Sequence, residues 1–214
     1  MIQSILYFNS VHYLTASMVN LIFYAYPAIV AILSIWVNKE PLHRNVVLAL
    51  IASFLGLILV LGSGFSGLNK IGVLSAFGAA LVYAIYMLLS NRLIEEVSPI
   101  ITSTFVAVFA SFSLLIAGVA TDSISFDFNP TTWLPIMGIV LFSTVLAIYG
   151  LFKGLEIIGP TKAAILSMIE PLVTILFGCL LFMDKLTSVQ WFGAFLVISG
   201  AVMITKARGK HDAR

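Results

Sequence analysis

Long apolar runs, each about the length of a membrane-spanning helix, follow one another along this chain. A bilayer core about 30 Å thick needs roughly 20 apolar residues per helix, so runs of that length bounded by charge, Gly or Pro indicate spans. Seven runs qualify: 16–37, 45–63, 71–90, 100–120, 133–152, 163–183 and 188–205. Residues 2–14 are shorter and more polar, and we interpret them as the end of a further helix. The pattern predicts an all-α, polytopic membrane helix bundle.

The connections between these runs are short, so consecutive helices should be antiparallel neighbours. Alternating sides then places nine basic residues on one face of the membrane and two, Lys70 and Lys185, on the other. The nine are Lys39, Arg44, Arg92, Lys153, Lys162, Lys206, Arg208, Lys210 and Arg214. Because Lys and Arg favour cytoplasmic loops, this asymmetry predicts a multi-pass protein of the cell membrane with a cytoplasmic C-terminus.

Composition excludes most other classes of protein. Hydrophobic residues make up 61% of the 214 and charged residues 9%, against about a quarter charged in soluble domains. The single cysteine, Cys179, excludes an intramolecular disulfide, and the three histidines lack the spacing of metal ligands. No nucleophile–base set or phosphate-binding loop is visible. We therefore expect no enzyme, catalytic residue, metal or cofactor, and we interpret the basic tail 207–214 as membrane-flanking rather than nucleic-acid binding.

The chain also resembles itself at a spacing of 144 residues. Pro27 matches Pro171, Gly56 matches Gly200 and Leu42 matches Leu186, while Glu40 corresponds to Asp184. Both copies have an apolar helix with a central proline, an acidic turn and a helix with a glycine near its far end. The two acidic turns fall on opposite faces of the predicted topology, as an inverted repeat requires.

This repeat predicts two inverted five-helix units, of which the first is incomplete. Residues 1–66 correspond to the C-terminal part of the first unit, 71–206 to a complete second unit and 207–214 to a cytoplasmic tail. A first unit of equal length would begin roughly seventy residues before Met1. A fragment, a misplaced start and a short variant that needs a partner chain are the three interpretations of this pattern.

Three segments carry a family resemblance: SMIEPLVTILFGCLLFMDKLTSVQWFGAFLVISGAVMI at 167–204, GVLSAFGAALVYAIYMLLSNRL at 72–93 and YPAIVAILSIWVNKEPL at 26–42. They resemble the EamA family of the drug/metabolite transporter superfamily, with helices one and two of the family pattern absent. The resemblance implies ten helices in two inverted repeats. Asp184 stands where the family more often has Glu, and Tyr26 in the first copy corresponds to Glu170 in the second, so the two halves should differ chemically.

Glu170 is the residue that points most directly to a function. A carboxylate within a membrane span is costly and usually faces the bundle interior or a water-filled cavity, and desolvation favours its protonated form. On a continuous helix, Ser167, Glu170 and Thr174 would share one face. Glu170 could contact a substrate or couple transport to protons; equally, it could hold the repeats together by hydrogen bonding to a neighbouring helix.

Two prolines and four further polar residues complete the candidate site. Pro27 and Pro171 should kink their helices and could act as rocking points, although proline also serves packing in membrane helices. Asn20 and Tyr24 share a face with Pro27 and could line the same cavity from the first repeat. Tyr83 and Tyr86 lie one turn apart and could contact an organic solute, with core packing as the alternative.

The predicted function is secondary transport of a small organic metabolite or drug, outward by the resemblance, through alternating access at the repeat interface. Proton coupling through Glu170 is a hypothesis. The competing interpretation is a non-transporting helix-bundle fragment or a partner subunit. Whether the chain forms a homo-oligomer or joins a partner chain stays open, and the solute is not readable beyond a slight preference of an acidic cavity for a cationic or zwitterionic amine.

Overall fold

A computed structural model describes residues 2–37, 43–62, 69–122, 124, 129–182 and 187–206. These ranges are mostly helical and contain no β-strand, which agrees with the predicted class. The helices are α1 (Ile2–Val11), α2 (Ala16–Phe23), α3 (Tyr26–Val37), α4 (Arg44–Leu61), α5 (Lys70–Leu93), α6 (Pro99–Ala120), α7 (Trp133–Gly138), α8 (Ala147–Ser167), α9 (Glu170–Phe182) and α10 (Ser188–Lys206). A 3₁₀ turn, Pro130–Thr132, precedes α7, and a π-helical segment, Ile139–Leu146, joins α7 to α8.

Six helical stretches of the described chain are long and apolar enough to cross a membrane. They are Ala16–Val37, Arg44–Leu61, Lys70–Leu93, Pro99–Ala120, Pro130–Ser167 and Ser188–Lys206. The seventh predicted span, 163–183, is divided between the end of α8 and the 13-residue α9. The predicted connection 153–162 is helical instead, and its break falls at Gly159, whose φ of 76° is readily adopted only by glycine.

Several predicted features lie outside the described residues. The acidic turns with Glu40 and Asp184, their partners Leu42 and Leu186, and the basic tail 207–214 belong to this group. The short N-terminal run, by contrast, is described, and its interpretation as helix is confirmed by α1.

The chain divides into two compact units. One contains Leu89–Ile157, and the other contains Ile2–Leu88 together with Ile158–Arg214. Helix α6 in the first unit carries many exposed apolar side chains, among them Phe105, Phe109 and Phe112. An aqueous surface would not tolerate such a helix, whereas lipid covers it without cost.

In the second unit, α4 and α10 pack at very short range because glycines face each other. A Cβ atom added to Gly56 would lie 2.5 Å from the carbonyl oxygen of Gly193 and 2.8 Å from Val197. A Cβ atom added to Gly200 would overlap the Ser53 hydroxyl and lie 2.8 Å from the carbonyl oxygen of Ala49. The absence of side chains at these positions is therefore what allows the two backbones to approach.

These contacts occur in matching pairs at the spacing of the sequence repeat. Gly56 and Gly200 are 144 residues apart, as are Ala49 and Gly193, and as are Ser53 and Val197. Gly56 meets positions 193 and 197, and Gly200 meets positions 49 and 53. Adding 144 to the residue number on α4 and subtracting 144 from the residue number on α10 converts the contacts of Gly56 into those of Gly200. This is the pattern of a self-complementary twofold interface.

The remaining helices of this unit are joined by two apolar clusters and one buried polar contact. Leu14, Met18, Val19 and Ala76 pack around the α1–α2 turn and α5, while Val46, Ala49, Ile165 and Ile204 join α4, the end of α8 and α10. The Thr161 hydroxyl donates to the Ser34 hydroxyl at 3.2 Å and links the end of α8 to α3. This packing fixes the positions of the helix ends described next.

Candidate functional site

Two helix interruptions of the second unit each precede a helix that has proline as its second residue. Helix α2 ends at Phe23 and α3 starts at Tyr26, with Pro27 as its second residue; α8 ends at Ser167 and α9 starts at Glu170, with Pro171 second. Proline suits the first turn of a helix because no partner exists there for its missing N–H. The predicted kinks are therefore two-residue breaks, Tyr24–Ala25 and Met168–Ile169, rather than bends in continuous helices.

The two breaks share three backbone hydrogen bonds. The amide of Ala25 donates to the carbonyl of Ile22 at 3.0 Å, and the amide of Ile169 donates to the carbonyl of Leu166 at 3.1 Å. Two amides of the following helix then donate to Ala25 O at 3.1 and 3.2 Å in one break, and to Ile169 O at 2.9 and 3.2 Å in the other. These three bonds correspond at the 144-residue spacing, whereas the amide of Tyr24 donates to Asn20 O and the amide of Met168 donates to Ile165 O.

Glu170 occupies the first position of α9, where the helix dipole and unpaired amides favour negative charge. We expected Glu170 to face the bundle interior or a water-filled cavity from a continuous helix, and the continuous helix is wrong. The side chain is exposed, and the break at 168–169 separates it from Ser167. An exposed carboxylate at a helix start can change partners, which a buried carboxylate locked into a structural hydrogen bond cannot.

The first break faces the second through its tyrosines. The Tyr24 hydroxyl interacts electrostatically with the Glu170 carboxylate, and the Tyr26 hydroxyl interacts with the side chain of Ser167. Both tyrosines are almost fully buried, with 6% and 2% of their surfaces exposed. The start of α9 and the end of α8 therefore meet the turn between α2 and α3.

An aromatic cluster of six rings lies beside these breaks, and Phe8 extends it from Tyr7. Its members are Tyr7, Phe23, Tyr24, Tyr26, Tyr83 and Tyr86. Tyr26 and Tyr83 are perpendicular with centroids 4.8 Å apart, and Tyr83 and Tyr86 are stacked at 5.9 Å. Phe23 contacts Tyr7 at 5.4 Å and Tyr83 at 5.5 Å. These distances are typical of favourable aromatic pairs. The predicted proximity of Tyr83 and Tyr86 is confirmed, and α1, α2, α3 and α5 all contribute to the cluster.

Tyr7 is a member of the cluster that the sequence pattern did not single out. Its hydroxyl donates to the side-chain oxygen of Asn20, so Asn20 faces α1. The neighbouring Asn9 donates to Ser75 on α5 at 2.9 Å. The polarity of residues 2–14 argued against a membrane helix, yet several of these polar groups are satisfied by neighbouring helices. The i, i+3 spacing of Tyr7 and Ser10, which places both on one helical face, was the sequence signal that could have singled out Tyr7.

The other two residues of the predicted polar stripe use their hydroxyls locally. Ser167 Oγ donates to the carbonyl of Ala163 at 3.0 Å, and Thr174 Oγ1 donates to the carbonyl of Glu170 at 3.2 Å. Thr174 is exposed on α9. The structure thus brings Asn20, Tyr24, Tyr83, Tyr86, Ser167 and Glu170 into one region and leaves the Thr174 hydroxyl engaged with its own helix.

Comparison with known proteins identifies the family to which this chain belongs. The sequence matches the EamA-like transporter family over residues 1–62 and 70–206. It is 26% identical over 202 residues to the uncharacterized transporter YyaM of Bacillus subtilis (strain 168), covering 87% of this chain and 65% of that protein. It is 24% identical over 224 residues to the uncharacterized transporter YcbK of the same organism, covering 99% and 71%. The chain spans about two thirds of the length of these relatives.

The helical arrangement also has a counterpart among solved structures. One crystal structure superposes with a TM-score of 0.80 at 18% sequence identity, covering 95% of this chain and 73% of the other. At this level of sequence identity the comparison supports a similar fold and nothing further. The resemblance inferred from residues 26–42, 72–93 and 167–204 is confirmed by the family match.

Proposed function

Because the chain belongs to the EamA-like transporter family, we propose that it carries a small organic solute across the cell membrane by alternating access, in the outward direction. Membership and the six apolar helices make it a multi-pass membrane protein of transporter type. The solute, the direction and the access mechanism are the proposed part. The proposed site is the region where Glu170 and Ser167 meet Tyr24, Tyr26 and the rest of the aromatic cluster.

The meeting of two interrupted helices is the observation that carries this proposal. Secondary transporters commonly bind solute at interrupted helices near the bilayer midplane, where helix ends present unpaired backbone groups and dipoles. Here the break at 24–25 faces the break at 168–169, and each is followed by a proline-bearing helix. Two short helix ends that can tilt independently offer a means of opening the site to alternate sides.

The exchanged contacts between α4 and α10 support an inverted-repeat arrangement around this site. A pseudo-twofold axis would relate Gly56 to Gly200 and the first break to the second, since both pairs share the 144-residue spacing. We propose the same orientation as the basic residues indicate, with the C-terminus cytoplasmic. A cysteine placed at Glu95 in a Cys179→Ser background should then react with impermeant thiol reagents only from the cytoplasmic side.

Proton coupling through Glu170 is part of the proposal. A neutral, protonated carboxyl attracts a cationic solute less than a carboxylate does, so a proton and a cation would compete for this group. If a single site faces each side of the membrane in turn and holds either a proton or the cation, protons and cations cross the membrane in opposite directions. A pH gradient should therefore drive the solute into the more acidic compartment. Cotransport with protons would drive it into the more alkaline compartment instead.

A non-transporting helix-bundle subunit is the second candidate. A subunit of this kind would retain the fold and the aromatic cluster but would move solute only together with a partner chain.

Flux measurements on the purified 214-residue chain separate these candidates. In vesicles loaded with a mixture of amines, amino acids and nucleobases, a carrier should exchange internal for external labelled solute, and empty vesicles provide the background. We expect exchange of at least one solute at several times the background rate. Flux at the background rate for all of them, with the protein folded in the vesicles, would favour the subunit interpretation.

A further inference from the structure

We propose that the aromatic cluster and Glu170 together form a binding site for an organic ammonium ion. This inference deepens the proposed function by naming the class of solute, and it rests on that function only for the claim that the bound ion is transported. Binding itself follows from the chemistry of the groups around the site.

The first step concerns charge. Glu170 is exposed, and among the residues that the structure describes it forms no ion pair; the pair found there joins Lys153 and Glu156. The field of the Glu170 carboxylate reaches Tyr7, Tyr24, Tyr26 and Tyr83. A carboxylate without an ion-pair partner among the described residues makes the surrounding region favour positive charge, because a bound anion would be repelled and a bound cation attracted.

The second step concerns the rings. The face of an aromatic ring attracts a cation within about 6 Å of its centroid, and several rings arranged around one volume form the usual site for quaternary ammonium groups. Tyr7, Phe23, Tyr83 and Tyr86 are each partly exposed, whereas Tyr24 and Tyr26 are buried beneath them. The perpendicular arrangement of Tyr26 and Tyr83 turns one ring face and one ring edge toward each other. The partly exposed rings therefore provide the ligand-accessible surface, and the buried ones fix it.

The third step excludes a metal ion as the occupant. Hard cations such as Ca²⁺ and Mg²⁺ require several oxygen ligands, commonly more than one carboxylate. No group of three or more His, Cys, Asp or Glu side chains lies together in the described ranges. One carboxylate beside a wall of rings lacks the ligands for a metal but has what an alkylated ammonium needs: one counter-charge and polarizable apolar surface.

The test compares ligands that differ in charge and little else. Choline and benzyltrimethylammonium are the cationic probes, 3,3-dimethyl-1-butanol is the neutral carbon isostere of choline, and benzenesulfonate is the anionic probe. Binding to the chain in lipid nanodiscs is measured by isothermal titration calorimetry. We expect at least one ammonium ion to bind, and to bind at least tenfold more tightly than the isostere and the sulfonate. Equal or tighter binding of the isostere or sulfonate, or no binding of either ammonium ion to folded protein, overturns the proposal.

Variants assign the binding to these residues. Glu170→Gln should weaken ammonium binding at least tenfold, while Glu95→Gln, which removes an exposed carboxylate from the turn after α5, should leave it unchanged. Tyr83→Leu should weaken ammonium binding about 2- to 30-fold, whereas Tyr83→Phe, which keeps the ring, should retain most of the parent affinity. Tyr149→Leu is the control for removal of a tyrosine outside the cluster. Equal effects of Tyr83→Phe and Tyr83→Leu would contradict a role for the ring face.

Binding and flux distinguish the two proposals. Ammonium binding without any solute exchange would support the site and contradict the carrier. Exchange of a neutral or anionic solute that is insensitive to Glu170→Gln would support the carrier and contradict the site.

Discussion

Replacing Glu170 by Gln should abolish solute accumulation driven by a pH gradient in reconstituted vesicles. The substitution keeps the size of the side chain and removes its charge and its ability to exchange a proton. Glu170 lies at the first position of α9 and faces the tyrosines of the first break, so a solute entering this region meets its carboxylate. Removing the charge therefore removes both the attraction for the solute and the competition with protons.

The expected reduction in pH-driven accumulation is at least tenfold, corresponding to about 1.4 kcal/mol of lost interaction. Glu95→Gln, in the exposed turn between α5 and α6, is the matched control and should retain the parent rate. Both variants are compared at equal amounts of folded protein. If Glu170→Gln transported at the parent rate with the same pH dependence, proton coupling would have to come from another group.

Substituting alanine at Gly56 or Gly200 should destabilise the protein far more than the same substitution at an exposed glycine. The added Cβ atom at Gly56 meets the backbone oxygen of Gly193 at 2.5 Å, and the one at Gly200 meets the backbone oxygen of Ala49 at 2.8 Å. Backbone atoms of a helix cannot rotate away, so α4 and α10 must separate. Overpacking of this kind typically costs about 1–3 kcal/mol, and loss of contact along the helix pair could add to it.

Thermal unfolding in detergent measures this effect. Gly150→Ala is the matched control, because Gly150 is an exposed helical residue with no atom within 4 Å of an added Cβ, and alanine has the higher helix propensity. We expect a clear fall in Tm for Gly56→Ala and Gly200→Ala and none for the control. Ser53→Gly should relieve Gly200→Ala in part, since it removes the hydroxyl that the new methyl group meets. Equal Tm values for all three alanine variants would contradict the close packing of α4 on α10.

The internal repeat at a spacing of 144 residues led to the most informative prediction from the sequence. Pro27 and Pro171 were expected to kink their helices, and the structure has a break before each of them, with three corresponding backbone hydrogen bonds. A kink and a break were not distinguishable from sequence, because proline is compatible with a helix interior at a cost and with a helix start without one. The choice depends on whether neighbouring helices stabilise the freed ends, which is a property of packing.

Polarity along the sequence was a weak guide to where helices run. Residues 2–14 contain Tyr7, Asn9 and Ser10, but Tyr7 bonds to Asn20 and Asn9 bonds to Ser75, so the polar groups are satisfied within the protein. The segment 153–162 was predicted as a connection for the same reason, and it is helical up to Gly159. The Gly159–Pro160 pair was the better signal, since glycine permits the positive φ and proline restarts the helix.

The sequence singled out candidate site residues but did not predict their arrangement. Glu170, Tyr24, Tyr83 and Asn20 stood out because a polar or aromatic side chain is conspicuous in an apolar run. Their grouping was predicted only within single helices, by i, i+3 and i+4 spacing. The contacts that define the aromatic cluster, such as Tyr26 with Tyr83 and Tyr24 with Glu170, join different helices, and no periodicity along one helix predicts them.

The central claim is that the two helix breaks face each other, with Glu170 beside the tyrosines of the first. Cross-linking in native membranes tests it most directly, using a short bifunctional thiol reagent on Tyr24→Cys/Glu170→Cys in a Cys179→Ser background. The control pair is Tyr24→Cys/Leu176→Cys, in which the second cysteine lies on a different side of α9 at a position that is 50% exposed. Efficient cross-linking of the first pair and little of the second is the predicted result; the reverse order would contradict the account.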